Sequence, residues 1–390
     1  MSVLAQLGLD GNPFSFLVSL FFLVVFFLFY PRIMLMQIMW KLEKTVQDLE
    51  RLDEEGKKVV LGEISKKPDK KTTDAVNRFF EFFMITPVDL DPYGVVRKVE
   101  HLVNGQRHRF RSFVRQVAPD LPEEKQANIE MGLAGGISLH EISKIVKHYV
   151  EVVKKTKSFQ IAMILQMQLP LIERMSKSLF KGTKALARGH PIGDAAGPYM
   201  VARMIGKAKV RDVGDDIILA RKDLDGKELF LLKSKGPGGR LGRPGYVIDK
   251  LARQYRFSKI VSIDAAAKLE GERTGSVAEG VGVAMGGIGV ERSYIEGVAV
   301  KNDIPLDSII VKMSGEEAIE PLRKVITDAY PLVMESLERS LAEVKRGERV
   351  LVIGVGNTSG IGNDGRGIKD AEDFAERMER EYQARKKKEA

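Results

Sequence analysis

Residues 259–289, KIVSIDAAAKLEGERTGSVAEGVGVAMGGIG, decide the fold of the larger part of this chain. They open with Ile260, Val261, Ser262 and Ile263, an apolar, β-branched run too short for a helix, and the run reaches a carboxylate at Asp264. The pattern predicts a buried strand ending at an acid. In open α/β sheets ligands collect beyond the carboxyl ends of strands, so an acid there is placed for chemistry. The glycines at 271, 275, 280, 282, 286, 287 and 289 let backbone approach backbone or ligand closely. The alternative is a solvent-facing Asp264 that caps a short helix over 265–269, a position Asp favours.

Outward from this stretch, strands and helices alternate. HPIGDAAGPYMVARMIG (190–206) is a glycine-proline loop entering a helix, with Asp194 at its start. DDIILARKD and ELFLLKS read as strands about an Asp225-Gly226 hairpin turn. GPGGRLGRPG opens the helix YVIDKLARQY, and YIEGVAVKN and DSIIVKMS read as strands. Residues 316–345 read as a helix interrupted at Pro331, and ERVLVIGVGNTSGIGNDGRG is a strand running into another glycine loop. Together these predict a C-terminal α/β domain over 189–368, with a mixed, mostly parallel sheet covered on both faces. The polar tail, 369–390, reads as a solvated, charged helix.

Before Gly189 the pattern is helical. Residues 14–30 are apolar except for two serines, and seventeen residues at about 1.5 Å each span roughly 26 Å, near the lower limit for crossing a bilayer. Fourteen Phe, Leu and Val there give an insertion free energy of roughly −4 to −8 kcal/mol. No basic residue precedes the run and no small-x-small cleavage site follows, so a retained anchor is expected over a cleaved signal peptide. Arg32, Lys41, Lys44 and Arg51 all follow it, which puts the amino end outside and the bulk in the cytoplasm. The expected localisation is therefore a single-pass cell-membrane protein, with segment 1–30 holding the anchor and 31–71 a juxtamembrane helix and charged linker. Leu35, Leu42 and Leu49 are spaced by seven, so 33–58 is either an amphipathic helix packed on its own protein or a self-associating coil. An all-α middle segment follows over 72–188. Thr73 and Asp74 cap a helix bearing Phe79, Phe80, Phe82 and Phe83; Asp91-Pro92 starts another; Ser138 caps a long one that Pro170 must kink or break.

Composition excludes several functions. The 390 residues carry no cysteine, which removes disulfides, thiol catalysis and cysteine metal sites, and the five histidines show no ligand spacing. A net charge of +9 is moderate for this length, and nucleic acid is not an expected partner. Arg107, Arg111 and Arg115 do fall on one helical face, a basic patch able to meet anionic headgroups, with a solvated face as the alternative. GVGNTSGIGND lacks the Gly-Lys-Ser/Thr of a P-loop and a convincingly spaced acid for a dinucleotide fold.

The order of motifs, Asp-Ala-x-Gly-Pro opening a helix, GPGG-x-L-G opening a second, apolar-Ile-Asp-Ala-x-Ala, then a long glycine loop, resembles the spore germination protease family. That family shares its α/β fold with the hydrogenase maturation endopeptidases. The matching positions are Asp194-Ala195-Ala196-Gly197-Pro198, residues 236–242, and Ile263-Asp264-Ala265-Ala266-Ala267. The resemblance covers roughly 189–367 and implies a catalytic pair, Asp194 and Asp264, in a cleft walled by loops 236–245 and 275–289. His190, Gly238, Gly239, Gly286, Gly287 and Asn357 would support that pocket. As a whole, the chain resembles an archaeal membrane-anchored family of unknown function. Nickel-type chemistry in the fold uses a histidine, yet none follows His190, so neither metal nor cofactor is expected.

In both peptidase families a strand ending in Gly-x-Gly-Asn precedes the first acidic loop, whereas 179–188 is helix-like and basic. RVLVIG (349–354), followed by Val355-Gly356-Asn357, supplies the missing strand from the far end of the chain. A circularly permuted domain is therefore expected, with this strand inside the sheet, beside and parallel to the Asp264 strand, and the Asn357 side-chain amide donating to Asp194. The alternative is an edge strand added last. Two aspartates about 4 Å apart at an effective dielectric near 20 repel by on the order of 4 kcal/mol, so one would keep a proton and the other stay ionised. Two functions follow: a membrane-anchored binding or scaffold protein whose glycine-loop cleft takes a protein or peptide, or an aspartate-dependent endopeptidase of narrow specificity.

Overall fold

The computed structural model describes residues 13–82, 94–283 and 289–389. Phe83, Asp91 and Pro92 of the expected helices, and Gly286 and Gly287 of the expected pocket, lie outside them. Five helices come first: α1 (Pro13–Ile64), α2 (Lys70–Phe79), α3 (Val95–Val117), α4 (Glu123–Thr156) and α5 (Phe159–Ala187). By length and composition α1 is the one described helix able to cross a membrane, and its most apolar stretch is unburied. Asp69, not Thr73 or Asp74, caps α2, its carboxylate accepting from the Thr72 N–H at 2.8 Å. Ser138 caps nothing: α4 runs through it, because Gly136 lies beneath the Phe80 ring, a close approach rather than a break. The helix ends instead at Lys157, which takes a left-handed φ of 50°. Nor does Pro170 end α5, which continues through it.

The chain divides into two compact units, 1–53 with 140–176, and 54–139 with 177–390. The first is a small bundle. Ile38 and Leu42 of α1, Val150 and Val153 of α4, and Ala162, Leu165 and Leu169 of α5 form its core. Lys147 meets Glu50 at 2.5 Å and Lys154 meets Glu43 at 3.1 Å, so the end of α4 runs antiparallel to α1.

The second unit holds a helical layer and the α/β domain. Its helical core joins Val60, Val76, Phe80, Phe110, Val114, Ile129 and Leu133. The domain begins with a 3-10 turn, Gly193–Ala195, and α6 (Ala196–Ile205), followed by β1 (Val210–Gly214), β2 (Ile217–Leu224), β3 (Lys227–Ser234), α7 (Pro244–Gln254), β4 (Lys259–Ala267) and β5 (Val277–Val281). Next come α8 (Val290–Asn302), β6 (Leu306–Met313), α9 (Gly315–Ile319), α10 (Lys324–Thr327), α11 (Tyr330–Ser340), β7 (Arg349–Gly354) and α12 (Lys369–Glu389). The strands form one mixed sheet in the order β1-β2-β3-β7-β4-β6-β5. Strands β3, β7, β4 and β6 are parallel, while β1, β2 and β5 run antiparallel at the edges.

β7 is thus interior, paired on both sides and parallel to the Asp264 strand, and the edge-strand alternative falls. Along it Val350 and Val352 join the core beneath α6 and α11, while Leu351 and Ile353 join the core under α7 and α8. An almost wholly apolar run is what a strand buried on both faces requires.

Other expectations are corrected. β4 continues three residues past Asp264, so the acid lies inside the strand and no helix forms over 265–269. YIEGVAVKN is helix, not strand: Ile295, Val298 and Ala299 recur at helical spacing and pack on α7. Part of the glycine-rich run forms β5, and 316–345 breaks into α9, α10 and α11, with Pro331 at the start of the last. The tail helix α12 is docked, not solvated, burying Ala371, Phe374 and Ala375.

Candidate functional site: an aspartate pair at the sheet's switch point

The chain leaving β4 passes through β5 to α8 on one face of the sheet, whereas the chain leaving β7 passes to α12 on the other. The carboxyl ends of these neighbouring strands form a topological switch point, where ligands of open α/β sheets bind. Three segments meet there. Gly197 in the first turn of α6 lies against the carbonyls of Ile263 and Val355, so closely that a Cβ would have no room. Gly356, at φ 131°, passes over the backbone of Asp194 in a conformation that side chains disfavour.

These approaches bring Asp194 and Asp264 together. The Asn357 N–H donates to Asp194 Oδ2 at 2.8 Å, and the Ala265 N–H donates to Asp264 Oδ1 at 2.6 Å. Asp264 is 3% exposed; Asp194 retains more of its surface. Burial pushes both carboxyls up, and the charge of Asp194 pushes Asp264 further, to well above the carboxylate range. The Asn357 N–H opposes the rise at Asp194. Asp264 is therefore the group that keeps its proton longer, and Asp194 the one that ionises first. Asn357 approaches Asp194 from the far end of the chain, but through its backbone. Its side-chain oxygen accepts from the Ser359 N–H at 2.8 Å, which corrects the expected amide donor.

The other expected pocket residues do something else. Gly238 donates its N–H to Glu124 Oε2 at 2.6 Å, and Gly239 to Asn128 Oδ1 at 2.8 Å, both on α4. Gly236 donates to Asn363 Oδ1 and Arg240 to Thr358 Oγ1. With the 4% exposed Arg240 side chain bound to Glu124 at 2.6 Å, this glycine loop is a clasp on α4 whose donors are occupied. The His190 ring stacks on Phe374 of α12, centroids 4.6 Å apart, and burial with nearby Arg377 and Arg188 lowers its pKa. Arg107, Arg111 and Arg115 do not form one solvated patch. Arg111 binds Asp216 at 2.8 Å, Arg107 is half-buried near Glu291 and Asp216, and only Arg115 is exposed.

One titratable group went unread in the sequence. Lys233, near the end of β3, is fully buried, its Nζ donating to the Ser234 carbonyl at 2.9 Å and lying 3.4 Å from Asn363 Oδ1. Burial lowers its pKa to about 7. A lysine in the inward register of ELFLLKS was the available signal. Among the described residues no group of His, Cys, Asp and Glu could hold a metal ion.

Family models match both parts of the chain: residues 16–189 match the protein of unknown function (DUF1512) N-terminal domain, and 192–362 the domain of unknown function (DUF1512) C-terminal. Searches of the curated proteins and of the solved structures found no match. With its helical part matched by one model of the family and the sheet with its aspartate pair by the other, the chain belongs to the DUF1512 family.

Proposed function

We propose that the α/β domain is an aspartate-dependent hydrolase for peptide bonds, held at the cytoplasmic face of a membrane by residues 14–30. The observation that carries this is the convergence of Asp194 and Asp264 at the switch point with unequal proton affinities. Asp194, favoured as the ion by the Asn357 N–H, takes a proton from water as it attacks the carbonyl carbon. Asp264, protonated, donates to the carbonyl oxygen or the leaving amine. A peptide substrate is supported by the resemblance of the motif order to that of the germination proteases, with β7 taken as the counterpart of their first strand. The exposed edge of β5 supports it as well: Ala278 pairs with Ile310, which pairs with Asp264, so that edge lies about 10 Å from the acid and can add an extended strand.

A second function, binding without turnover, is favoured by the depth of Asp264 and the occupied donors of the 236–240 clasp. The test is cleavage of membrane-associated polypeptides by the full chain in bilayers. Asp264→Asn and Asp194→Asn should each lower the rate by at least about a hundredfold. Unchanged rates in either variant, with the fold intact by circular dichroism, would leave the binding function standing instead. For orientation, protease added outside intact cells should spare everything after Tyr30; cleavage beyond it reverses the topology.

A further inference from the structure

The surface of the 1–53 and 140–176 bundle carries large apolar side chains that its core does not use. On α1, Ile33, Met36 and Trp40 are 48, 66 and 69% exposed, extending the unburied face that starts at Phe16. On α5, Met163, Met167, Leu171 and Met175 recur every four residues with Ile164 beside the first, and all five are exposed, Met167 the most at 73%. The two stripes stand at one level, because Gln166 of α5 lines the same cavity of about 610 Å³ as Met34, Met36, Ile38 and Trp40 of α1. At the end of the bundle from which the anchor leaves, Met163, Ile164 and Met167 join Ile33, Met36 and Trp40 in one apolar belt, while Leu171 and Met175 continue along α5 away from it, where Thr45 meets Glu173.

That end is also basic. Lys155 and Lys157 flank the α4–α5 turn and are exposed, and Arg32, Lys41 and Lys44 lie on α1 beside the belt. None of these five has a carboxylate partner among the described residues; Arg32 and Lys44 instead face the rings of Phe29 and Trp40. The nearby acids are engaged, since Glu43 and Glu151 both bind Lys154. Apolar side chains ringed by cations without carboxylate partners and by one exposed tryptophan, continuous with an apolar helix, match the headgroup boundary of an anionic leaflet.

We infer that the α4–α5 hairpin is a second membrane contact, its turn and the first half of α5 lying in the headgroup layer of anionic lipid beside α1. This rests on 14–30 being an anchor, and it goes beyond that by making the bundle itself a lipid-binding element. The orientation of the bundle at the surface is then fixed by two contacts rather than one.

The chain suits a direct test, having one tryptophan and no cysteine. The full chain carrying Met167→Cys with a polarity-sensitive fluorophore, and a second variant at Ile164→Cys, are placed in bilayers of phosphatidylcholine alone or mixed with phosphatidylserine. Lipids brominated near the headgroup end of the acyl chain should quench both Trp40 and the label, the label more strongly in the anionic bilayer. Lys155→Glu with Lys157→Glu should remove that lipid dependence, each cation near such a surface being worth about fivefold in binding. Quenching of Trp40 without the label overturns the hairpin contact and leaves the anchor intact. Quenching of neither overturns both. A label shielded from bromolipid but self-quenched between copies assigns the belt to a second copy of this chain and overturns the lipid contact.

Discussion

In the unit built from 54–139 and 177–390, Asp264 is 3% exposed, Lys233 is fully buried and the large apolar side chains of the inner strands pack in two layers about the sheet. In the unit built from 1–53 and 140–176, Trp40, Ile164 and Met167 stand outside while Lys155 and Lys157 reach solvent. The same residue types occupy opposite environments. Burying an unpaired charge, or exposing a contiguous apolar belt, is unfavourable in water and persists only where something other than water is the partner. In the α/β domain the buried acids keep company with each other and with backbone N–H groups at a switch point. In the bundle the belt lies beside the helix long and apolar enough to enter lipid.

The comparison breaks most completely at β7. Truncation before Arg349 removes a strand paired on both sides and leaves the edges of β3 and β4 open, so cooperative thermal unfolding should disappear. A sharp melt in the truncated chain would show that the sheet does not depend on its centre. Next in size, Gly197→Val drives a side chain into the carbonyls of Ile263 and Val355, and a loss above about 4 kcal/mol is expected in denaturant unfolding.

Lys233→Met sharpens the contrast, because here a substitution should stabilise. A fall in pKa from 10.5 to about 7 corresponds, at 1.36 kcal/mol per pH unit, to a penalty on the order of 5 kcal/mol. The penalty is full below pH 7, where lysine is charged folded and unfolded alike, and fades as pH rises to 10.5, where both states are neutral. Stability of the wild type should therefore climb between pH 7 and 10.5. The Met variant should lack that climb and be more stable by a few kcal/mol at neutral pH, net of the lost hydrogen bond. Asp264→Asn removes the opposite dependence. The raised folded pKa of Asp264 stabilises below the unfolded value of 3.8, and that contribution is lost as pH rises through the folded value, so the variant should gain at neutral pH and hold its stability there. Smallest of all, Met167→Gln in detergent micelles should change stability by less than about 0.5 kcal/mol, since the side chain touches little of its own protein.

The strands of the α/β domain were legible where the apolar pattern and turn chemistry agreed. The Asp225-Gly226 hairpin joins β2 to β3, and GPGG leads into α7, because each depends on residues close in sequence. RVLVIG announced its own burial on two faces. The carboxylate pair was legible as candidates only, since nothing local tells that Gly197 and Gly356 will bring the 194 and 264 segments into contact.

By itself, then, the sequence determined the apolar amino-terminal helix, the interior character of β7 and the acid on β4, because hydrophobic period and run length are local properties. Only the tertiary structure decided that 290–302 is a helix, since the β-branched residues there have a partner in α7 that rewards helical spacing. It alone decided that the glycine loop at 236–240 shares its donors between α4 and the 358–363 segment, that the tail docks, and that Lys233 is fully buried. The glycine loop, the tail and Lys233 depend on partners more than a hundred residues away, and the 290–302 helix on α7, where Gly245 meets Glu291 46 residues on, distances that no sequence window of about 11–18 residues spans.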